Sequence, residues 1–335
     1  MAKKRKRTSV ASFVHHLERA STSSPASSHA ADEQAAALNL GAYHPELDVT
    51  SLDAADLSEY EALLQKCLVH PAMFPPNMLK YWRHRFTLLS SYAAGCLLDE
   101  QSWYSITPES VAFRIAKRCA TDGIVVDLFA GAGGNAIQFA FTCNRVLAIE
   151  IDPLKLRLAR WNAKIYGVED RITFIQGDSI ELLDVLVASK SDSTDPEGKV
   201  WKDISHAEIA AVQAVFLSPP WGGVQYAQNP TASPSAAPST YSLSSIQPVD
   251  GSHLFARVQA AFNTSNIAYY LPRNTDLEQL QHLAQHTSIP PYKPNVKIEY
   301  QYVNNGTKLS SLTAYYGSLA ADWNDESDDW YPTAS

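Results

Sequence analysis

Ser218-Pro219-Pro220-Trp221, backed by Gly222-Gly223, ends the apolar run Ala214-Val215-Phe216-Leu217. That run has the length and composition of a short buried strand. Neither proline can donate a ladder hydrogen bond, so the chain must turn at the strand's carboxyl end. Open α/β sheets bind their ligands at that edge. The turn presents a serine, backbone carbonyls released from the sheet, and a large indole expected to be exposed. This set suits a flat base carrying an amino group. Trp221 would stack on the ring, and the carbonyls of Ser218 and Pro219 would accept the amine's hydrogens, directing its lone pair at an electrophile. Such a transfer depends mostly on placing the reacting atoms in line at about 3 Å. No general-base constellation accompanies the turn, as expected if the amine loses its proton after the transfer.

An electrophile needs its own site, and an upstream segment supplies one. Ile124-Val125-Val126-Asp127-Leu128-Phe129 reads as a strand closing on Ala130-Gly131-Ala132-Gly133-Gly134, with a helix beginning near Asn135. Glycines there let backbone approach a ligand beside the positive end of a helix. Glu150 follows at the end of the next strand, where a carboxylate can take both ribose hydroxyls. Asp178 ends the third strand and can accept from an adenine amino group. Asp127 can orient the glycine turn or hold a ligand's ammonium. A Gly-Lys-Ser/Thr phosphate loop is absent, and the full dinucleotide glycine spacing is not met. The set fits S-adenosylmethionine better than NAD or ATP, and so predicts a methyltransferase.

The elements that must hold these groups alternate between strands and helices. Strands are expected at 124–129, 145–151, 172–176, 214–217 and 267–271, with helices at 135–142 and 153–167. A final hairpin pairs 296–303 with 311–316. This order predicts an α/β, Rossmann-like class I methyltransferase fold: a mostly parallel seven-stranded sheet with an antiparallel edge hairpin. Helices at 56–70 and 78–91 precede it as a small N-terminal helical extension or lid, whose Trp82, Phe86 and Trp103 serve packing. Thr107 is placed to cap the next helix, with Pro108 at its first position. The expected organisation is a disordered basic and Ser/Ala-rich tail at 1–55, the extension at 56–120, the methyltransferase domain at 121–320 and an acidic tail at 321–335. The loops 189–206 and 227–248 are expected to be mobile.

Composition limits the partners. The 335 residues carry a formal charge of −8, which argues against binding a long duplex. Residues 80–118 nevertheless hold six Lys/Arg against three acids, a patch suited to a short anionic ligand. The four cysteines, Cys67, Cys96, Cys119 and Cys143, are scattered and form no metal-binding pattern with histidine; no metal site is expected. No apolar run approaches the ~18 residues of a membrane span. Lys3-Lys4-Arg5-Lys6-Arg7 reads as a nuclear localisation signal. No interface stripe is evident, so a monomer is expected.

From about residue 80 to 319 the chain resembles the trimethylguanosine synthases. The likeness rests on Lys80-Tyr81-Trp82 with Arg85, Trp103 through Glu109, Asp127 through Asn135, Ile149 through Pro153, Ala159 through Ala163, Phe216 through Gly223, and Tyr270 through Asn274. The resemblance implies methyl transfer from S-adenosylmethionine to the exocyclic N2 of the 7-methylguanosine cap of small nuclear and nucleolar RNAs, in the nucleus and nucleolus, alongside small ribonucleoprotein proteins. It implies that Trp221 stacks on the cationic base, that Asn162 holds the base edge, and that Lys80 and Arg273 bind cap phosphates. The cofactor would meet Thr107, Asp127, the turn from Phe129 through Gly131 and Gly133 to Asn135, then Glu150, Asp178 and Ser218. Trp161 stands beside Asn162 where the family has a smaller polar residue, a departure that would alter the pocket's rim. The alternatives are an amino-group methyltransferase acting on an internal RNA or DNA base, and a non-catalytic cap-binding protein that keeps the fold.

Overall fold

The central constraint on this fold is a parallel sheet buried on both faces. The computed structural model describes residues 44–189, 198–222, 240–285, 295–303 and 306–321. Its strands are β1 (Thr121–Asp127), β2 (Cys143–Glu150), β3 (Ile172–Gln176), β4 (Lys199–Trp201), β5 (Ile204–Ser205), β6 (Val212–Leu217), β7 (Ile267–Pro272), β8 (Val296–Val303) and β9 (Lys308–Tyr316). Seven of them form one sheet in the order β3-β2-β1-β6-β7-β9-β8, and β4 pairs with β5 apart from it. Strands β1, β2, β3, β6 and β7 run parallel, while β9 is antiparallel to both β7 and β8. The order reverses beside β1, so the switch point at which such sheets bind ligands lies between the ends of β1 and β6.

The helices are α1 (Ala54–Leu64), α2 (Leu79–Arg83), α3 (Arg85–Leu88), α4 (Glu100–Ser105), α5 (Glu109–Arg118), α6 (Gly134–Ala140), α7 (Pro153–Ile165), α8 (Ser179–Ser189), α9 (His206–Ala210), α10 (Gly251–Phe262) and α11 (Leu277–Ala284). Period-two alternation divides the core. Val126, Val215, Leu217 and Tyr269 pack on one face with Leu183, Leu254 and Val258, while Val125, Ala214, Phe216 and Tyr270 pack on the other with Ile115 and Phe139. Two apolar faces explain why these strands read as continuous apolar runs.

The N-terminal segments differ from expectation in informative ways. Residues 1–43 of the expected tail lie outside the described residues, but 44–55 carry definite structure. His44 is buried, and Asp48 caps a 3-10 turn at Val49–Ser51. Helix α1 starts two residues early because Asp53 caps it. It stops at Leu64, where Leu68 N–H leaves to pair with Leu98 O at 3.2 Å. The segment read as one helix over 78–91 is two short ones, interrupted at His84; Arg85 Nη1 donates to Trp82 O across the break. Helix α1 docks on α7 through Arg157–Glu59 and Lys164–Asp56 ion pairs. Phe74, Trp82, Tyr92 and Trp103 form an aromatic cluster within the extension, matching the packing role expected of Trp82 and Trp103; Phe86 is half-exposed beside Arg85.

Both expected loops contain structure in their described parts. Within 189–206, β4 and β5 form a hairpin that buries Trp201 and Ile204. Within 227–248, residues 240–248 bury Tyr241, Leu243 and Ile246. Residues 190–197, 223–239 and 322–335 lie outside the description. No described helix is long and apolar enough to cross a membrane.

His44 Nδ1 and the Tyr60 hydroxyl lie 2.6 Å apart, and burial lowers the imidazole pKa from 6.5 to about 4. The folded state therefore holds His44 neutral while the unfolded chain protonates it below pH 6.5. Stability from this site is complete above 6.5 and is lost as pH falls toward 4, by about 3 kcal/mol at the limit. In urea denaturation at pH 7 and pH 5, the wild type should lose about 2 kcal/mol more than His44→Gln. Equal losses in the two chains would contradict a buried neutral histidine.

Candidate active site

The glycine turn is held from below by carboxylates. Gly131 and Gly133 adopt φ of +53° and +91°, values that favour glycine. A Cβ at Gly133 would also stand 3.0 Å from the Ala159 backbone. Gly131 N–H donates to Glu150 Oε2 at 2.8 Å, and Asp152 N–H donates to Glu150 Oε1 at 2.9 Å. Each carboxylate oxygen keeps a second lone-pair direction, so Glu150 can brace the turn and still accept from a ribose. Asp178 is half-buried, and its Oδ1 accepts from Ile180 N–H at 2.8 Å.

Asp127 is fully buried, with Oδ1 accepting from Phe129 N–H at 3.2 Å and Oδ2 left without a partner. Burial, and secondarily the charge of Glu150, raises its pKa from 3.8 to about 7. Beyond the turn, buried Asn135 donates from Nδ2 to Thr107 Oγ1 at 2.9 Å, and its Oδ1 also has no partner. Buried acceptors without donors are costly, and two flank the same glycine turn. A cationic ligand with N–H donors would complete them, and an ammonium such as that of S-adenosylmethionine has both properties. Thr107 is therefore occupied by Asn135 and does not cap α5; the N-cap is Pro108, which makes no side-chain bond.

The acceptor half begins where β6 stops. Ser218 is half-buried, and its Oγ donates to Phe129 O at 3.4 Å, joining this turn to the glycine turn. Pro219 is buried and Pro220 exposed. The Trp221 indole, expected to be exposed, is half-buried and leans on Tyr270 with centroids 5.0 Å apart and 42° between planes. Tyr270 lies on β7, whose end carries exposed Arg273 one residue beyond Pro272. Lys80 is exposed on α2, its ammonium 4.9 Å from the Tyr81 ring centre. Gly223 lies outside the described residues.

Two expectations from the family resemblance do not hold. Asn162 is fully buried, with its amide already engaged. Its Oδ1 accepts from Leu97 N–H at 2.8 Å, and its Nδ2 donates to Leu97 O and Ala132 O, both at 3.0 Å. It cannot also hold a base edge; instead it ties the N-terminal extension to the glycine turn. Trp161 is not at a rim either. It is buried beside Tyr60, and its Nε1 donates to Gly95 O at 2.8 Å.

Further residues belong with the site. Ile151, 64% exposed just past Glu150 at the end of β2, presents an aliphatic surface on which a flat ring could lie; an apolar residue just past a strand-end acid was the available signal. Trp201 packs so closely over Gly177 that a Cβ there would lie 2.3 Å from the indole, which walls the region of Asp178. Nothing in the polar stretch around 199–206 signals that contact.

Asn162→Ala removes three buried hydrogen bonds and strands the Leu97 and Ala132 groups. We expect a loss of about 2–4 kcal/mol in chemical denaturation, accompanied by weaker cofactor binding. A variant of wild-type stability with only cap affinity reduced would show that Asn162 meets the base after all.

A family model described as RNA cap guanine-N2 methyltransferase matches residues 122–319. The trimethylguanosine synthase of Schizosaccharomyces pombe is 38% identical over 229 residues, covering 67% of this chain and 82% of that protein. Its Saccharomyces cerevisiae counterpart is 26% identical over 250 residues, covering 72% and 68%. A solved methyltransferase from Porphyromonas gingivalis W83 superposes with a TM-score of 0.50 at 13% identity, covering 81% of this chain and 60% of that one, and so shares the fold. Glycine turn, strand-end acids and amine-directing turn all fall within the matched stretch, and the chain belongs to the RNA cap guanine-N2 methyltransferase family.

Proposed function

We propose that this chain dimethylates the exocyclic N2 of the 7-methylguanosine cap of small nuclear and nucleolar RNAs, giving 2,2,7-trimethylguanosine. What carries the reading is the bond between Ser218 Oγ and Phe129 O, which sets an amine-directing turn beside a glycine turn. The cofactor of the family, S-adenosylmethionine, supplies an electrophilic methyl on its sulfonium when bound. Glu150 would hold its ribose, Asp178 its adenine, and Asp127 with Asn135 its ammonium, with Thr107 fixing Asn135 and Phe129 bordering the turn.

On the acceptor side, Trp221 would stack on the base, and the positive charge of 7-methylguanine strengthens that contact over plain guanine. The carbonyls of Ser218 and Pro219 would accept the amine's hydrogens and turn its lone pair toward the methyl. As the new N–C bond forms and the S–C bond breaks, the amine becomes cationic and releases its proton to water. Lys80 and Arg273 would take the cap phosphates. The basic run at residues 3–7, outside the described residues, supports nuclear and nucleolar residence, where small ribonucleoprotein proteins are the expected company. A monomer is sufficient for this chemistry.

Two outcomes follow. Methyl transfer from radiolabelled S-adenosylmethionine should proceed on 7-methyl-GpppG and not on GpppG, and uncapped RNA should not compete. Trp221→Ala should lower transfer by more than the ~1–3 kcal/mol of a lost stack while leaving cofactor affinity near wild type. Transfer to uncapped RNA or DNA would favour the internal-base alternative. Cofactor binding should also release a proton, because an ammonium prefers ionised Asp127. With that carboxyl near 7 in the free protein, calorimetric affinity should rise from pH 6 to pH 7 by several-fold and level off above it. Asp127→Asn should flatten this profile; an unchanged profile would place the ammonium elsewhere.

A further inference from the structure

Tyr241 sits in a Ser/Pro-rich stretch that sequence alone reads as mobile, yet it is buried and bonded on three sides. Its N–H donates to Asn274 O at 2.8 Å, and its carbonyl accepts from Asp276 N–H at 2.9 Å. Those bonds form a parallel bridge with Thr275. Its hydroxyl reaches the other way and donates to Trp221 O at 3.3 Å. The chain then leaves Trp221 through Gly222 at a φ of +92°, a conformation that favours glycine. Arg273 immediately precedes Asn274. One side chain thus fastens the turn bearing the indole to the turn bearing the guanidinium.

We propose that Tyr241 is a positioning residue that fixes the spacing between Trp221 and Arg273, and thereby sets affinity for a substrate that is both a cationic purine and a phosphate chain. The inference rests on the cap reading above. It separates base capture from cofactor capture, because these three bonds run to the turns that follow β6 and β7. Substitution by phenylalanine keeps the buried ring and deletes only the hydroxyl, so packing is preserved.

The test compares wild type with Tyr241→Phe by three readings: the dissociation constant of 7-methyl-GpppG from indole quenching, that of S-adenosylmethionine from calorimetry, and the thermal midpoint. Loss of one net hydrogen bond predicts cap-analogue affinity about three- to tenfold weaker, with cofactor affinity within about twofold and the midpoint nearly unchanged. The same variant should lose less on the nucleoside 7-methylguanosine, which has no phosphates for Arg273. An unchanged cap-analogue constant in a folded variant overturns the inference, as does a parallel fall in both affinities with the midpoint. A wild-type chain that binds cofactor but not 7-methyl-GpppG overturns instead the cap reading on which it rests.

Discussion

The site depends on the register between two parallel strands. Asp127, the last residue of β1, stands opposite Phe216 on β6, so the two strands end within a residue or two of each other. The glycine turn leaves one and the Ser-Pro-Pro-Trp turn leaves the other, which brings Ser218 Oγ to Phe129 O. A slip of one residue would reverse every side chain on β6, burying Val215 and Leu217 on the wrong face and parting the two turns. The apolar cores on both faces forbid that slip, so the same burial that stabilises the sheet also aligns the chemistry.

Around this junction the chain uses buried polar groups in two different ways. Asn162 is saturated: its amide joins Leu97 to Ala132 and makes the N-terminal extension part of the floor under the glycine turn. Asp127 and Asn135 are incomplete, each with an oxygen lacking a donor. Asn162 thus holds the scaffold, whereas the two incomplete side chains stand on either side of the glycine turn, where a donor-bearing ligand would complete them. Asn162 therefore belongs to the framework and not to the substrate site, and the proposed cofactor contacts of Asp127 and Asn135 are compatible with their geometry.

The strands and the turns between them were legible in the sequence because they depend on local pattern. The expected 172–176 strand coincides with β3, and β6 and β7 extend only a residue or two past expectation. Strand-end acids and the proline-broken end of β6 could be read for the same reason. What could not be read depends on distant partners. The early stop of α1 and the burial of Trp161 go with contacts to Leu98 and Gly95, some 30 and 66 residues away. Helices α8, α10 and α11 lie beyond the sequence expectation, although Asp250 before α10 and Asp276 before α11 are caps of the usual kind. Tyr241 was hidden by composition: a Ser/Pro-rich neighbourhood masks one residue that the sheet edge anchors.

The family is shared, and under the proposed reading the product would depend on how freely the amine can turn between the carbonyls of Ser218 and Pro219. Mass spectrometry of a 7-methylguanosine-capped oligonucleotide after exhaustive reaction tests that most directly. The account predicts a product heavier by two methyl groups, both on the cap base, and no change in the same oligonucleotide capped with unmethylated guanosine. A mass gain on the unmethylated cap, or on a base within the chain, would contradict it.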